Sequence, residues 1–461
     1  MDAFIEIAPS EARVVPMTSQ QRFLFEAYRK RKILSRFCIN TLRLSGKVRT
    51  DLLLRSFREV IRRHDALRTR LIEVSGSRAQ KVMNVEECQL RSRDISDGSD
   101  DGDEELAMRC LEEFAERRWN LDEEPLFYVE ILKVSERRYF LRYAIHHLIF
   151  DAIALNLMLR EIWAVYAALL RGRLPTLPVV PFQYSDYAIQ QQRTEADWSD
   201  KHDLYWRARL HGATRVSWPA DEGTPGLKTC ATAVARAPID VSLILRLREF
   251  ARRERTLLSL VMLATCVATV SARCHQKDFV VPMVVNGRNS AEEGTVVGYL
   301  AHFIYLRMEL TGDERFVDLL HKVKCEFNQA LLHQDSGRVS VWAPELLEGM
   351  CFSWNKWNWE EFVGVPTSAE YINLDLKVEM CPGLPADFKP IETEGPPELL
   401  SEMTFSFLEN GDGVTLFLFY RADLYSATAA GRVLAAIPTI SARLLQSPYA
   451  RLSTLALDSE R

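Results

Sequence analysis

Residues 145–153 read IHHLIFDAI: His146 and His147 stand side by side and Asp151 follows four positions after the second, all inside an apolar run. An imidazole titrates near neutrality, so it can take a proton from an attacking amine or hydroxyl and hold that nucleophile by a hydrogen bond. Side chains on a strand alternate between faces, so the two histidines share a face only if the strand ends between them. One can look into a cleft while the other packs. A single histidine beside an apolar strand reads as a core residue. A pair followed by an aspartate reads as a built site, because three buried polar groups each need a partner. Adjacent histidines lack the i, i+4 spacing that sets two metal ligands on one helical face, and no metal site is expected. The chain also lacks a Gly-x-Ser-x-Gly elbow, which argues against a nucleophilic hydrolase.

The elements that must position this run follow from hydrophobic periodicity. TSQQRFLFEAYRK (18–30) predicts a capped helix, SRFCINTLRLSG (35–46) a strand ending on glycine, and residues 48–63 a second helix. ALRTRLIEV predicts a strand, and after a helix near 103–118 the stretch PLFYVEILKVSERRYFLRYAIHHLIFD predicts a hairpin whose second strand runs into the histidines. Residues 152–171 are apolar at helical spacing, with Gly172 as a stop. GRLPTLPVVPF (172–182) holds three prolines, which favour an extended linker. Beyond it the pattern restarts, with helical stretches near 184–211 and 241–274, strands DFVVPMVVNG and HFIYLRMEL, and a helix over 314–334. MTFSFLENGDGVTLFLFYRADL predicts a hairpin about a Gly-Asp-Gly turn, and a helix near 427–446 closes the chain. The pattern predicts two α+β lobes, 1–177 and 178–461.

Composition narrows the class. The 461 residues are 47% hydrophobic and 26% charged, enough for two or three cores. The longest apolar run, LLSLVMLATCVATV at 257–270, falls short of a bilayer span, and the N-terminus lacks the basic flank and apolar stretch of a signal peptide. A cytoplasmic protein without membrane association is expected. Net charge is −5 with Lys and Arg scattered, so the footprint of a nucleic-acid binder is missing. Nine cysteines at irregular spacing with no C-x-x-C pair read as reduced thiols, and the acidic run 94–105 as a solvated loop.

HHLIFDA resembles the His-His-x-x-x-Asp-Gly signature of the condensation domains of nonribosomal peptide synthetases, a superfamily that includes chloramphenicol acetyltransferase. Other landmarks of that family occur in order: MTSQQRFLF (17–25), RRHDALRTR (62–70), YSDYAIQQQ (184–192), VPMVVNGRN (281–289) and HQD (333–335), so the resemblance covers nearly the whole chain. Four places depart from the pattern. Ala152 replaces the signature glycine, Gln190 stands at a tryptophan place, His302 and Tyr305 take the places of Asn and Pro, and Ser336-Gly337-Arg338 follows HQD where Pro-Phe is usual.

The resemblance implies a pseudo-dimer of two acetyltransferase-like lobes in a V, with a tunnel between them and the histidine motif at its centre. His147 corresponds to the catalytic histidine, and His146, the other member of the catalytic pair, packs beneath it. Asp151 is expected to pair with Arg288, clamping the lobes or fixing the motif loop. His64 and Arg68 match a second motif and read equally well as ion-pair residues at a helix end. Ala152, His302, Trp354, Asn355 and Trp357 are the candidates for lining the tunnel. The tryptophans also fit a plain sheet-face cluster.

The function implied is a free-standing monomeric condensation enzyme for peptide or other secondary-metabolite assembly, antibiotics included. It would join an acyl thioester to an amine or alcohol. No cofactor is expected to reside on the chain. The phosphopantetheine thioester would arrive on a peptidyl or acyl carrier protein in trans, since no Gly-Gly-x-Ser carrier segment and no adenylation motif is found. Two other readings stay open: an acyltransferase that takes coenzyme A directly, and a catalytically silent platform that binds partner proteins.

Overall fold

A computed structural model of the chain describes residues 13–30, 37–96, 104–117, 119–219, 232–334, 339–356, 376–380, 401–411 and 413–454. The chain divides into two compact units. From the N-terminus run β1 (Arg13–Pro16), α1 (Ser19–Lys30), β2 (Cys38–Gly46), α2 (Thr50–Arg63), β3 (Thr69–Val74), β4 (Ser77–Val82), β5 (Gln89–Asp94), α3 (Glu104–Glu116), β6 (Phe127–Ser135), β7 (Arg138–Ile145) and α4 (Ala152–Leu170). A long helix, α5 (Tyr184–Leu210), follows the prolines. Next come β8 (Thr232–Ile239), α6 (Val241–Arg253), α7 (Leu258–Cys274), β9 (Asp278–Val285), β10 (His302–Glu309), α8 (Phe316–Leu332), β11 (Met350–Lys356), β12 (Leu376–Met380), β13 (Met403–Asn410), β14 (Gly413–Arg421) and α9 (Ala427–Gln446).

The first unit holds a five-stranded sheet in the order β12-β2-β7-β6-β5 and a small sheet β1-β4-β3. β6 and β7 are buried along almost their whole length, which is why the apolar residues of FYVEILKVS and RYFLRYAI do not alternate strictly with polar ones. Leu132, Val134 and Phe140 pack on Ala107 and Cys110 of α3, and each such side chain contributes roughly 1.5–3 kcal/mol by leaving water. Glu130 and Arg142 form a buried ion pair among them, with the Arg142 guanidinium 4.4 Å from the centroid of the Phe114 ring. Among the described residues, α4 is the single helix long and apolar enough to cross a membrane. Its Leu155, Met158, Leu159, Ile162, Trp163 and Tyr166 are buried within this unit.

The expected division at residue 177 gives way to a different one. The first unit continues to Thr194 and takes back residues 288–300 and the strand β12, which pairs with β2. Hydrogen bonds explain why the prolines do not separate the lobes. Gln183 donates to the Arg63 carbonyl, the Ser185 amide to Asp65, and Arg63 to the Pro178 carbonyl, so the extended segment is fastened down.

His64 and Arg63, at the end of α2, both bond Glu161 of α4, at 3.0 and 2.9 Å. Burial alone would raise the Glu161 carboxyl, but these hydrogen bonds and charges outweigh it and hold the group below its ordinary range. A carboxyl depressed in the folded state contributes stability above its unfolded value of about 4.3 and loses it as pH falls through the folded value. Glu161→Gln is therefore expected to narrow the loss of stability on acidification. Urea unfolding from about pH 6 down to about pH 3 crosses that window, and parallel curves for wild type and variant below about pH 4.3 would contradict it.

The second unit is built on a six-stranded sheet, β10-β9-β11-β13-β14-β8, in which β11 runs parallel to β13 and β9. The β13–β14 pair keeps the expected hairpin register, Met403 opposite Tyr420 and Asn410 opposite Gly413. The helical stretch 241–274 is two helices meeting at 103°. Arg255 adopts a φ of 50°, and the Thr256 amide donates back to the Ala251 carbonyl, a left-handed stop made without the usual glycine. α7 is buried on all sides, and its Thr265 and Thr269 hydroxyls bond backbone carbonyls four residues earlier, which satisfies them in the core.

Candidate functional site

β7 ends at Ile145, the chain turns through one 3₁₀ turn at His147–Ile149, and α4 begins at Ala152. The strand therefore stops before the histidines, and they part company. His146 is fully buried. Its Nδ1 accepts the Leu148 amide at 3.2 Å, and its ring meets Phe37 and Tyr28 edge-on at 5.1 and 6.0 Å. His147 is half-buried, and its Nδ1 lies 3.1 Å from the Phe150 carbonyl oxygen. A carbonyl can only accept, so Nδ1 carries a proton, and in the neutral imidazole the lone pair is then on Nε2. The Phe150 ring stacks on the imidazole at 4.8 Å and the Tyr299 ring meets it at 5.7 Å and 73°. With its Nδ1 proton committed and an aromatic surround, this imidazole is oriented to accept a proton at Nε2 whenever it is neutral.

The turn itself is held from behind. Gln21 of α1 donates from Nε2 to the Leu148 carbonyl at 2.7 Å and to Gln80 at 2.9 Å, while its Oε1 accepts the Thr18 amide at 2.9 Å.

Asp151 caps α4, its Oδ1 accepting the Ala154 amide at 2.9 Å. Arg288 grips both oxygens, Nη1 to Oδ2 at 2.7 Å and Nη2 to Oδ1 at 3.0 Å. Oδ2 also accepts the Leu300 amide at 3.0 Å, and Arg288 donates to the Val296 carbonyl at 3.1 Å. Both side chains are almost completely buried, at 6% and 4% exposure, so this is a desolvated pair in which each carboxylate oxygen accepts from the guanidinium and from a backbone amide. Both lie in the first unit, Arg288 through the returning segment 288–300. The pair ties that segment to the motif turn.

Ala152 is the first residue of α4 and is half-buried. His302, Trp354 and Asn355 belong to the second unit. His302 opens β10 opposite Val285. Trp354 stacks on Phe407 at 5.5 Å and donates from Nε1 to Glu409 at 3.1 Å, and Asn355 lies opposite Leu408 on the same strand pair. Trp357 and the aspartate of HQD lie outside the described residues. Arg68 donates to the Met83 carbonyl at 2.7 Å. Among the described residues no three His, Cys, Asp or Glu side chains converge as metal ligands, and the seven cysteines there are free thiols.

Gln21, Phe150, Tyr184 and Tyr299 take part in the site without a role in the sequence pattern. Gln21 and Tyr184 stand inside stretches that already read as landmarks, and Phe150 inside the motif, so their positions were a signal. For Tyr299 only the neighbouring glycine hinted at a close approach.

The chain matches the Condensation domain family over residues 11–339. It is 27% identical over 438 residues to CymA of Salinispora arenicola (strain CNS-205), described as a probable non-canonical nonribosomal peptide synthetase, covering 90% of this chain and 5% of that protein. It is 28% identical over 299 residues to tyrocidine synthase 2 of Brevibacillus parabrevis, covering 63% of this chain and 8% of that protein. The chain thus spans a small part of the curated relatives it matches. Among solved structures, the complex of the X-domain and OxyB from teicoplanin biosynthesis aligns with a TM-score of 0.77 at 20% identity, covering 99% of each chain. The fold is that of condensation-domain structures, α+β with two acetyltransferase-like lobes.

Proposed function

Because the chain belongs to the condensation-domain family, we propose that it is an acyltransferase joining a carrier-bound acyl thioester to an amine or alcohol. The observation that carries the reading is the orientation of His147, with Nδ1 committed to the Phe150 carbonyl, so that Nε2 holds the lone pair of the neutral ring. Such a nitrogen takes the proton of the attacking nucleophile or holds that nucleophile for attack, and oriented reactants alone can lower a barrier by roughly 7 kcal/mol or more. His146 supports the turn from the core, and Asp151 with Arg288 fixes the loop. The acyl donor comes on the phosphopantetheine arm of a carrier protein, or on coenzyme A. Ala152, the first residue of α4 after the motif turn, bears on which substrates fit.

A second reading has its own support. Ala152 departs from the family signature, and a similar structure is an X-domain in complex with OxyB. A platform that binds a partner enzyme and performs no acyl transfer fits both. The deciding experiment offers acyl groups loaded on a carrier protein or on coenzyme A together with a panel of amines and alcohols, and reads products by intact mass for wild type and His147→Ala. Product that requires His147 supports acyl transfer, and the preferred donor separates carrier from coenzyme A chemistry. Folded protein that binds carriers but yields no product across the panel supports the platform.

A further inference from the structure

We propose that Tyr184 and Asp151 are a pair of positioning residues that lock the Tyr299–Leu300 peptide, and that this lock sets the Tyr299 ring as the surface that orients His147. The proposal rests on the acyl-transfer reading for its kinetic arm only. The Tyr299 carbonyl and the Leu300 N–H are the two polar ends of one planar peptide group. The Tyr184 hydroxyl donates to the carbonyl at 3.0 Å, and the Leu300 N–H donates to Asp151 Oδ2 at 3.0 Å. A peptide group bonded at both ends resists flipping, which restricts ψ of residue 299 and with it the direction of its side chain.

Tyr184 is suited to one end of this lock. It is fully buried, and with its own proton given to the Tyr299 carbonyl it accepts from the Thr18 hydroxyl at 3.2 Å. Burial pushes its phenol well above the ordinary range, so it stays a neutral donor. Its ring also fills the space beside Gly298: a Cβ there would overlap Tyr184 Cδ2 and stand 2.6 Å from Cγ. Glycine is what lets the segment pass close enough for the hydroxyl to reach the next carbonyl. Asp151 supplies the other end while gripping Arg288, so the returning segment is tied at residues 288, 296 and 300 to one carboxylate and its partner. The product of these contacts is the edge-to-face meeting of Tyr299 with His147, a geometry aromatic pairs favour.

The test uses the full chain labelled with ¹⁵N-histidine and compares wild type, Tyr184→Phe, Tyr299→Ala and Tyr299→Phe, with His147→Gln to assign the His147 ring signals. Tyr184→Phe keeps the ring that packs on Gly298 and removes only the hydroxyl. The expected result is that Tyr184→Phe and Tyr299→Ala both shift the His147 imidazole signals. Both are also expected to lower kcat by about tenfold or more with KM within about twofold, since small misplacements of a reacting group cost rate and not binding. Tyr299→Phe, which keeps the ring, should lose less than Tyr299→Ala. Unchanged imidazole signals in both folded variants overturn the lock, as does a variant that lowers only the melting temperature. If the wild type proves to have no turnover, the acyl-transfer reading fails by itself, and the imidazole signals still decide the lock in either direction.

Discussion

His147→Ala is expected to lower kcat/KM for acyl transfer by about 10²–10⁴-fold, the usual contribution of a general acid–base group, while leaving the unfolding midpoint close to wild type. The separation of the two effects follows from geometry. The imidazole is half-buried and makes its Nδ1 bond to a carbonyl at the turn's own end, so its removal uncovers little apolar surface. His146 is the opposite case. It is fully buried between Tyr28 and Phe37 and accepts the Leu148 amide, so His146→Ala opens a cavity and strands a backbone donor. Its loss should appear first in stability, by on the order of 2–4 kcal/mol. Denaturant unfolding and single-turnover kinetics on the same two preparations make the comparison. Equal kinetic loss at equal stability in both variants would mean that the buried histidine takes part in the chemistry and that the division of roles is wrong.

The two histidines show what a linear reading can reach. Alternation along a strand requires that they diverge or that the strand end between them, and the chain does end β7 one residue before His146. The run into the motif, the hairpin at 403–421 and the closing helix are equally plain, because each has one period and one environment. The strand Thr232–Ile239 is not legible, since it is an edge strand carrying Pro238 and an exposed face, which weakens every strand signal. The break at Arg255 is hidden for another reason: the left-handed position is taken by a residue that ordinarily continues a helix.

The lobe boundary fails for a third reason. Prolines 175, 178 and 181 mark an extended segment correctly, but whether an extended segment separates units depends on what its backbone bonds to, and here Arg63 and Gln183 fasten it to the first unit. Nothing local in residues 288–300 or 376–380 says that they return to that unit. That information lies in partners more than a hundred positions away, Asp151 for Arg288 and β2 for β12. The motif could be read from spacing because its chemistry is local. The peptide that faces it could not.

Those distant partners carry the second large prediction. Arg288→Ala is expected to destabilise the folded chain by about 3–5 kcal/mol, because it leaves the Asp151 carboxylate buried with half its donors removed. Asp151→Asn should cost a similar amount for the converse reason: an amide NH₂ is set against a buried guanidinium, donor facing donor, and only one oxygen remains for the Ala154 and Leu300 amides. Against a typical total of about 5–15 kcal/mol, either change brings the first unit near its limit. Arg288→Lys should recover little, since an ammonium cannot make the bidentate contact and also reach the Val296 carbonyl. The two charges form one unit, so Asp151→Asn combined with Arg288→Ala should be less destabilising than the sum of those two single changes. Urea unfolding of the four variants measures this, with kcat read on whatever remains folded. Wild-type stability in Asp151→Asn together with lost turnover would sink the structural assignment, because the carboxylate would then act on the reaction and not on the fold that holds His147 in place.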